Sequence, residues 1–167
     1  SHTWREPLWD QLVCGYHYLG YQKLLGHRLK YLALLRGRPV AALSFSAPAR
    51  VLRVRDRWIG WSPAQRRTQL PRAVNNSRFL ILPWVAIPNL ASHVLAQTLA
   101  RLPGDWGARF GTRPWLVETF VDPARFHGTC YRAANWRRLG QTFGSGKHGP
   151  GYVYHGARKE VYVYVLE

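Results

Sequence analysis

Glu118 is the carboxylate whose place in the sequence most strongly suggests chemistry. It lies within the apolar segment LVETFV, residues 116–121, which predicts a buried strand. An ionised side chain inside such a strand is costly to bury unless it is paired or solvated. We therefore predict that Glu118 is a general base or acid with a raised pKa, facing a cleft at the strand ends. The alternative is an ion pair with one of the many arginines, which would only stabilise the sheet.

His17 is the second candidate for proton transfer. It lies between two tyrosines where the first predicted helix ends, shortly before Gly20. An imidazole changes its charge near neutral pH, so His17 would serve as a base or as a metal ligand. The alternative is a hydrogen-bonded histidine that stabilises its loop.

Other chemistries have weaker support in the sequence. The HxH, HExxH and DxD spacings are absent, so we predict no metal site. Glu118 and Asp122 would share a face only if the strand continued, which leaves a metal-dependent nuclease as an open alternative. Cys130 is an alternative nucleophile, although small buried cysteines are mostly inert. The segment GSGK, residues 144–147, lacks the pattern of an NTP-binding loop, and we expect a flexible basic loop that contacts DNA.

The charge of the chain indicates a polyanionic partner. Its 167 residues carry 24 Lys and Arg against 8 Asp and Glu, a formal net charge of +16, and twenty of the basic residues are arginines. A guanidinium pairs bidentately with phosphate and stacks on bases, and several arginines adjoin tryptophans. We therefore predict DNA, single- or double-stranded, as the partner. The predicted DNA-binding residues are Arg50, Arg53, Arg55, Arg57, Trp58, Trp61, Arg78, Arg132, Arg137, Arg138 and Lys147.

The alternation of apolar segments and turn residues predicts the elements that position these side chains. Their expected order is helix, hairpin, helix, strand, helix, strand, helix, strand. This order predicts a single α/β domain over residues 1–167, with one mixed sheet and helices on both of its faces.

Several local segments have their own predictions. Ser62 and Pro63 are expected to begin a helix, because serine caps helix N-termini and proline suits the first helical position. The other expectations are an irregular or partly extended segment at 50–61, a strand at 78–85, a helix from Asn89 to about residue 102, a polar turn or short helix at 104–111 and a mobile loop at 145–157.

Cysteine usage and hydropathy predict a cytoplasmic protein. Cys14 and Cys130 lie far apart and form no CxxC motif, so neither a disulfide scaffold nor a zinc ribbon is expected. A reducing compartment fits this pattern best. No apolar run approaches the roughly 20 residues of a membrane span, and no signal peptide is evident.

Four segments of the chain resemble the DruA-like family, which is named for the Druantia anti-phage system. They are YHYLGY at 16–21, RDRWIGW at 55–61, NNSRFLILPWV at 75–85 and ETFVDPARFHGTCYRAANW at 118–136. The resemblance covers about residues 4–167. It implies that the chain acts on the DNA of mobile elements or phages. Related domains occur in transposase-associated proteins, so a transposase or helicase is the protein partner that it implies.

A second resemblance concerns architecture. The succession of strand, helix, strand and the segment CYRAANW is similar to the core of the GNAT acyltransferases. This resemblance implies a GNAT-like fold, acetyl-CoA as cofactor, and Tyr131 as the general acid that protonates the leaving thiolate. The segment 87–92, where the cofactor pyrophosphate would bind, lacks the glycines and the Arg or Gln that suit phosphate. The sequence therefore leaves the cofactor undetermined.

These observations favour a DNA-binding protein with a GNAT-like core that modifies or processes DNA. His17, Glu118 and Tyr131 are expected to converge in one cleft, with Glu118 within reach of Tyr131. One alternative is a non-catalytic DNA-binding module that recruits a transposase or helicase. The other is a GNAT acyltransferase that acts on a small amine or a protein.

Overall fold

The computed structural model describes residues 5–22, 26–143, 145–148, 151–154 and 156–166, with only the backbone for the ranges 145–148 and 151–154. Its helices are α1 (Arg5–Tyr16), α2 (Arg53–Ile59), α3 (Pro63–Gln69), α4 (Leu90–Phe110) and α5 (Thr129–Ala133), with a 3-10 turn at Leu70–Arg72. Its strands are β1 (Arg28–Leu35), β2 (Arg38–Ser46), β3 (Ala73–Ile81), β4 (Leu116–Val121), β5 (Arg137–Gln141), β6 (Ser145–His148), β7 (Gly151–Tyr154) and β8 (Glu160–Val165).

Six strands form one mixed sheet in the order β1-β2-β3-β4-β8-β5, while β6 and β7 pair as a separate antiparallel hairpin. Among the described strands, only β3 and β4 are parallel neighbours, and the helix α4 forms the crossover between them. The predicted mixed α/β architecture is confirmed. None of the helices in the described part of the chain combines the length and the apolar character that a membrane span requires.

Helices cover both faces of the sheet. The main core includes Leu95 and Leu102 of α4, which share an apolar cluster with Leu43 and Val117 of the sheet. On the opposite face, α1 buries Trp9 against β2, and the Trp9 indole donates a hydrogen bond of 2.9 Å to the Leu43 carbonyl. The helix α2 lies on this second face too, and Ile59 packs there on a smaller cluster.

The ladder between β3 and β4 is short. It pairs Ala73 with Leu116, Val74 with Val117 and Asn75 with Glu118, and it ends there although both strands continue. We call this gap in the sheet, beside residues 76–81 of β3 and 119–121 of β4, the β3–β4 opening. Polar side chains concentrate around it.

Four local predictions were wrong. The strand predicted at 78–85 is β3, which begins at Ala73 and ends at Ile81. The helix α4 continues through Pro103 to Phe110 instead of ending near residue 102, because its last turns bury Trp106 in the main core. The segment predicted to be irregular contains α2, and residues of the predicted mobile loop form the β6–β7 hairpin. The helix start at Ser62 is confirmed, with a capping box in which Ser62 and Gln65 bond reciprocally.

Candidate functional site

Glu118 forms a solvent-inaccessible ion pair with Arg55 of α2. The Arg55 Nη1 donates to Glu118 Oε2 at 2.6 Å, and the Ala49 backbone N–H donates to Oε1 at 2.7 Å. Both charged side chains are fully buried. Burial raises the pKa of Glu118, and the neighbouring guanidinium opposes that shift. The contacts of this carboxylate are those of a sheet-stabilising ion pair, the alternative that the sequence left open.

Asp56 extends the pair into a network around α2. Its carboxylate accepts hydrogen bonds from Arg55 Nε and Nη2, from the Trp61 indole at 3.1 Å and from Arg66 at 3.3 Å. Arg55 was predicted to bind DNA at the surface, and that prediction is wrong because Glu118 and Asp56 hold its guanidinium inside the protein. Trp61 is half-buried against the same network.

Tyr131 belongs to a second network that bridges the β3–β4 opening. Its hydroxyl donates to Asn76 Oδ1 at 2.9 Å, and Thr119 Oγ1 donates to the Asn76 carbonyl at 3.1 Å. The Asn76 amide in turn donates to the Ser44 carbonyl of β2 at 3.0 Å. Tyr131 is 8% exposed, and burial raises its pKa well above the ordinary value. Asn76 and Thr119 were not predicted, although polar residues inside strands are the same signal that drew attention to Glu118.

The two networks lie on opposite faces of the sheet. Successive strand residues alternate in direction, so Glu118 points toward α2 while Thr119 points toward α5 and Tyr131. The expected convergence of Glu118 with Tyr131 was therefore wrong. Two members of the predicted proton-transfer set, Glu118 and Tyr131, are thus separated by the sheet.

His17 lies beside β3, near the β3–β4 opening. Its Nδ1 accepts a hydrogen bond from the Leu19 backbone N–H at 3.1 Å. Burial and the charge of Arg78 lower the pKa of His17 from 6.5 to about 4, while a hydrogen bond with the Phe79 backbone opposes the shift. His17 is thus neutral at pH 7 and holds the segment after α1 against the sheet.

Arg78 supports the same segment. It is 9% exposed, and it donates to the Gly20 carbonyl at 3.1 Å and to the Ser77 carbonyl at 2.7 Å. Arg78, which was predicted to bind DNA, is thus buried, and two of its nitrogens are engaged by these carbonyls.

The lowered pKa of His17 predicts a dependence of stability on pH. The His17 imidazole binds a proton near pH 6.5 in the unfolded chain but only near pH 4 in the folded chain. The free energy of unfolding should therefore fall as the pH is lowered from about 6.5 to about 4, since protons favour the unfolded chain. His17→Asn, which keeps an acceptor for Leu19, should weaken this dependence in urea titrations. His127→Asn, at an exposed histidine, is the control. If the free energy of unfolding changes with pH equally in His17→Asn and in wild type, the prediction is wrong.

Four of the exposed arginines lie together elsewhere, between α2 and β5. A groove of about 350 Å³ is lined by eight residues, which we call the α2–β5 groove: Arg53, Val54, Arg57, Trp58, Arg137, Arg138, Leu139 and Phe143. Five of them were predicted to bind DNA. The described residues of the lining include four arginines and no acidic side chain. Glu160 of β8, which Arg138 and Gln141 both bind, stands outside it.

Two aromatic rings lie in this groove. The Arg53 guanidinium is 5.0 Å from the centre of the Phe143 ring, and that of Arg137 is 5.9 Å from the centre of Trp58. Phe143 is 55% exposed and Trp58 37% exposed, so both rings keep surface available to a ligand. Phe143 and Leu139 were not predicted, because nothing in the local sequence indicates that they approach α2.

Arg50 and Arg132, which were also predicted to bind DNA, do not line the groove. Both are exposed, whereas Lys147 lies in β6 and its side chain is outside the described residues, as is Gly144. Cys130 is partly buried, and burial raises the pKa of its thiol, which disfavours a nucleophilic role. Within the described ranges, no group of three or more His, Cys, Asp or Glu side chains is placed to hold a metal ion.

Comparisons with known proteins identify both a family and a fold. A family model described as Druantia protein DruA matches residues 2–151. No curated protein matches the sequence. The chain is similar in structure to aminoglycoside acetyltransferase AAC(6')-Ib in complex with coenzyme A and kanamycin, with 13% identity, a TM-score of 0.50, and coverage of 83% of this chain and 66% of that one.

Two further solved structures have the same fold. An N-acetyltransferase from Staphylococcus aureus Mu50 is 12% identical with a TM-score of 0.51, and 84% of this chain and 69% of that chain are covered. An acetyltransferase from Salmonella typhimurium that modifies the N-terminal serine of ribosomal protein L7/L12 is 12% identical, with a TM-score of 0.51 and coverage of 85% and 66%. The chain thus spans about two thirds of the length of these structures, and its fold is that of the GNAT acetyltransferases.

The residues around the β3–β4 opening do not fit acetyl-CoA. The Tyr131 hydroxyl, which would have to protonate a thiolate, instead donates to Asn76. The segment between β3 and α4 contains Pro83 and Pro88, which have no N–H to offer a pyrophosphate, and no glycine. Side-chain hydrogen bonds from Thr119 and Tyr131 bridge the gap between the strands.

Proposed function

The chain belongs to the DruA family, and from this premise we propose that it is a DNA-binding protein whose GNAT-like fold presents the α2–β5 groove to nucleic acid. The observation that carries the proposal is the lining of the groove. Its described residues include two exposed rings and four arginines, of which one, Arg138, is ion-paired with Glu160. Arginine pairs with phosphate, and aromatic rings stack on bases. The net charge of +16 would add long-range attraction to any polyanion.

We further propose that the chain contributes binding rather than catalysis. The three side chains predicted to transfer protons are each engaged in the fold: Glu118 with Arg55, Tyr131 with Asn76, and His17 with Leu19. In this proposal the chain brings the DNA of a phage or mobile element to a catalytic partner. A transposase or a helicase is the partner class that suits a DNA-binding module of this family.

The dependence of DNA affinity on salt tests the proposal. Each arginine–phosphate contact releases counterions, so the slope of log K against log salt is about −0.9 per contact on duplex and about −0.7 on single strands. Arg138 is ion-paired with Glu160, so the other three groove arginines should give a slope of about −2 or steeper in fluorescence anisotropy titrations. Arg57→Ala should make the slope shallower by about one contact, while Arg109→Ala on the exposed side of α4 should not. An affinity that does not change with salt would rule the proposal out.

A further inference from the structure

The aromatic rings of the α2–β5 groove, Trp58 and Phe143, indicate more about its ligand than a negative charge. Neither Trp58 nor Phe143 is needed to fill the core, since each keeps more than a third of its surface exposed. Each ring lies against a guanidinium, Phe143 against Arg53 and Trp58 against Arg137. A cation–π contact holds both groups in place and so organises the ring before a ligand binds.

The shape of the site disfavours a duplex. A helix that recognises duplex DNA projects into a major groove about 12 Å wide. The seven-residue helix α2 instead packs beside β5, and the two elements form the walls of a concave site of about 350 Å³. That volume is in the range of pockets that hold small ligands, about 300 Å³ upward. It suits one nucleotide unit, with its base beside the rings and its phosphate among the arginines.

We propose that the α2–β5 groove binds single-stranded DNA in preference to duplex, with an unpaired base stacked on Phe143 or Trp58. Bases within a duplex are covered on both faces by their neighbours, whereas an unpaired base has a face free for an aromatic ring. The inference rests on the proposed function, since both place DNA in the same groove. It adds the strand state and assigns the recognition of that state to the two rings.

Competition between matched oligonucleotides tests this selectivity. A mixed-sequence strand of about 20 nucleotides, long enough for a typical single-strand site, is compared with its own duplex at one salt concentration. The wild-type chain should bind the single strand at least tenfold more tightly. The double variant Trp58→Leu/Phe143→Leu should bind the single strand at least tenfold more weakly than wild type does, while its affinity for the duplex should change little. Trp84→Leu, which changes a 61% exposed ring outside the groove lining, should bind as wild type does.

A second measurement leaves the protein unchanged, in case the double variant fails to fold. An abasic strand with the same phosphates should bind the wild-type chain at least tenfold more weakly than the intact strand, because stacking needs a base. Equal affinity for single strand and duplex, or for intact and abasic strands, would overturn the inference and leave the proposed function in place. No salt-dependent binding to any of these DNAs would overturn both.

Discussion

Arg55→Ala is expected to destabilise the fold by about 3–5 kcal/mol, because it leaves Glu118 as a buried charge without its cationic partner. The Ala49 N–H would be the remaining hydrogen bond to that carboxylate among those described. Asp56 would also lose the two bonds that Arg55 donates. In a chain of this length, such a loss corresponds to a fall in melting temperature of about 6–20 °C.

Urea denaturation followed by circular dichroism measures this effect, and Arg57→Ala is its matched control. Arg57 carries the same charge two residues further along α2 but is exposed, so its removal should cost less than about 0.5 kcal/mol. Arg55→Met/Glu118→Leu should recover much of the lost stability, since apolar groups can replace a buried ion pair. An unchanged unfolding midpoint in Arg55→Ala would show that the pair is not structural.

The contrast between Arg55 and Arg57 shows where sequence analysis fell short. The segment was expected to be irregular, and in an irregular segment all of its arginines are equivalent candidates for the surface. In a helix, residues four apart share a face, while the residue between them points the opposite way. Once α2 is recognised as a helix, Arg53 and Arg57 fall on one side and Arg55 on the other, as observed. Because the helix α2 was not predicted, the buried Arg55 was assigned to the surface.

The sheet was more predictable than its contacts. Apolar runs such as LVETFV indicated buried strands, and their alternation with helices indicated a mixed sheet, which the structure confirms. The early end of the β3–β4 ladder is set by the register of two strands about 40 residues apart, which no local pattern encodes. Period-two alternation did imply that Glu118 and Thr119 face opposite ways. The alternation could not show on which face of the sheet α5 places Tyr131.

The α2–β5 groove illustrates the same limit at longer range. Its lining comes from residues 53–58 and 137–143, which are separated by almost half of the chain. Composition identified arginines and tryptophans as binding residues, because their chemistry does not depend on the fold. Only the packing of α2 beside β5 determines which of them meet, and it adds Phe143.

Charge reversal in the groove should have the largest effect on binding. Two contacts from charged groups are worth about 3–6 kcal/mol together, and each 1.4 kcal/mol is a factor of ten. Arg57→Glu/Arg137→Glu should therefore weaken DNA binding at least about 100-fold, as measured by fluorescence anisotropy. The melting temperature should stay close to that of wild type, because both side chains are exposed.

The decisive comparison is with a variant of equal charge. Arg109→Glu/Arg113→Glu also changes two exposed arginines and also lowers the net charge from +16 to +12. Because long-range attraction depends on total charge, it should fall to a similar extent in both variants. Loss of affinity that is much greater in the groove variant would locate the DNA between α2 and β5. Equal losses would mean that the attraction is spread over the whole surface, and the groove would not be the binding site.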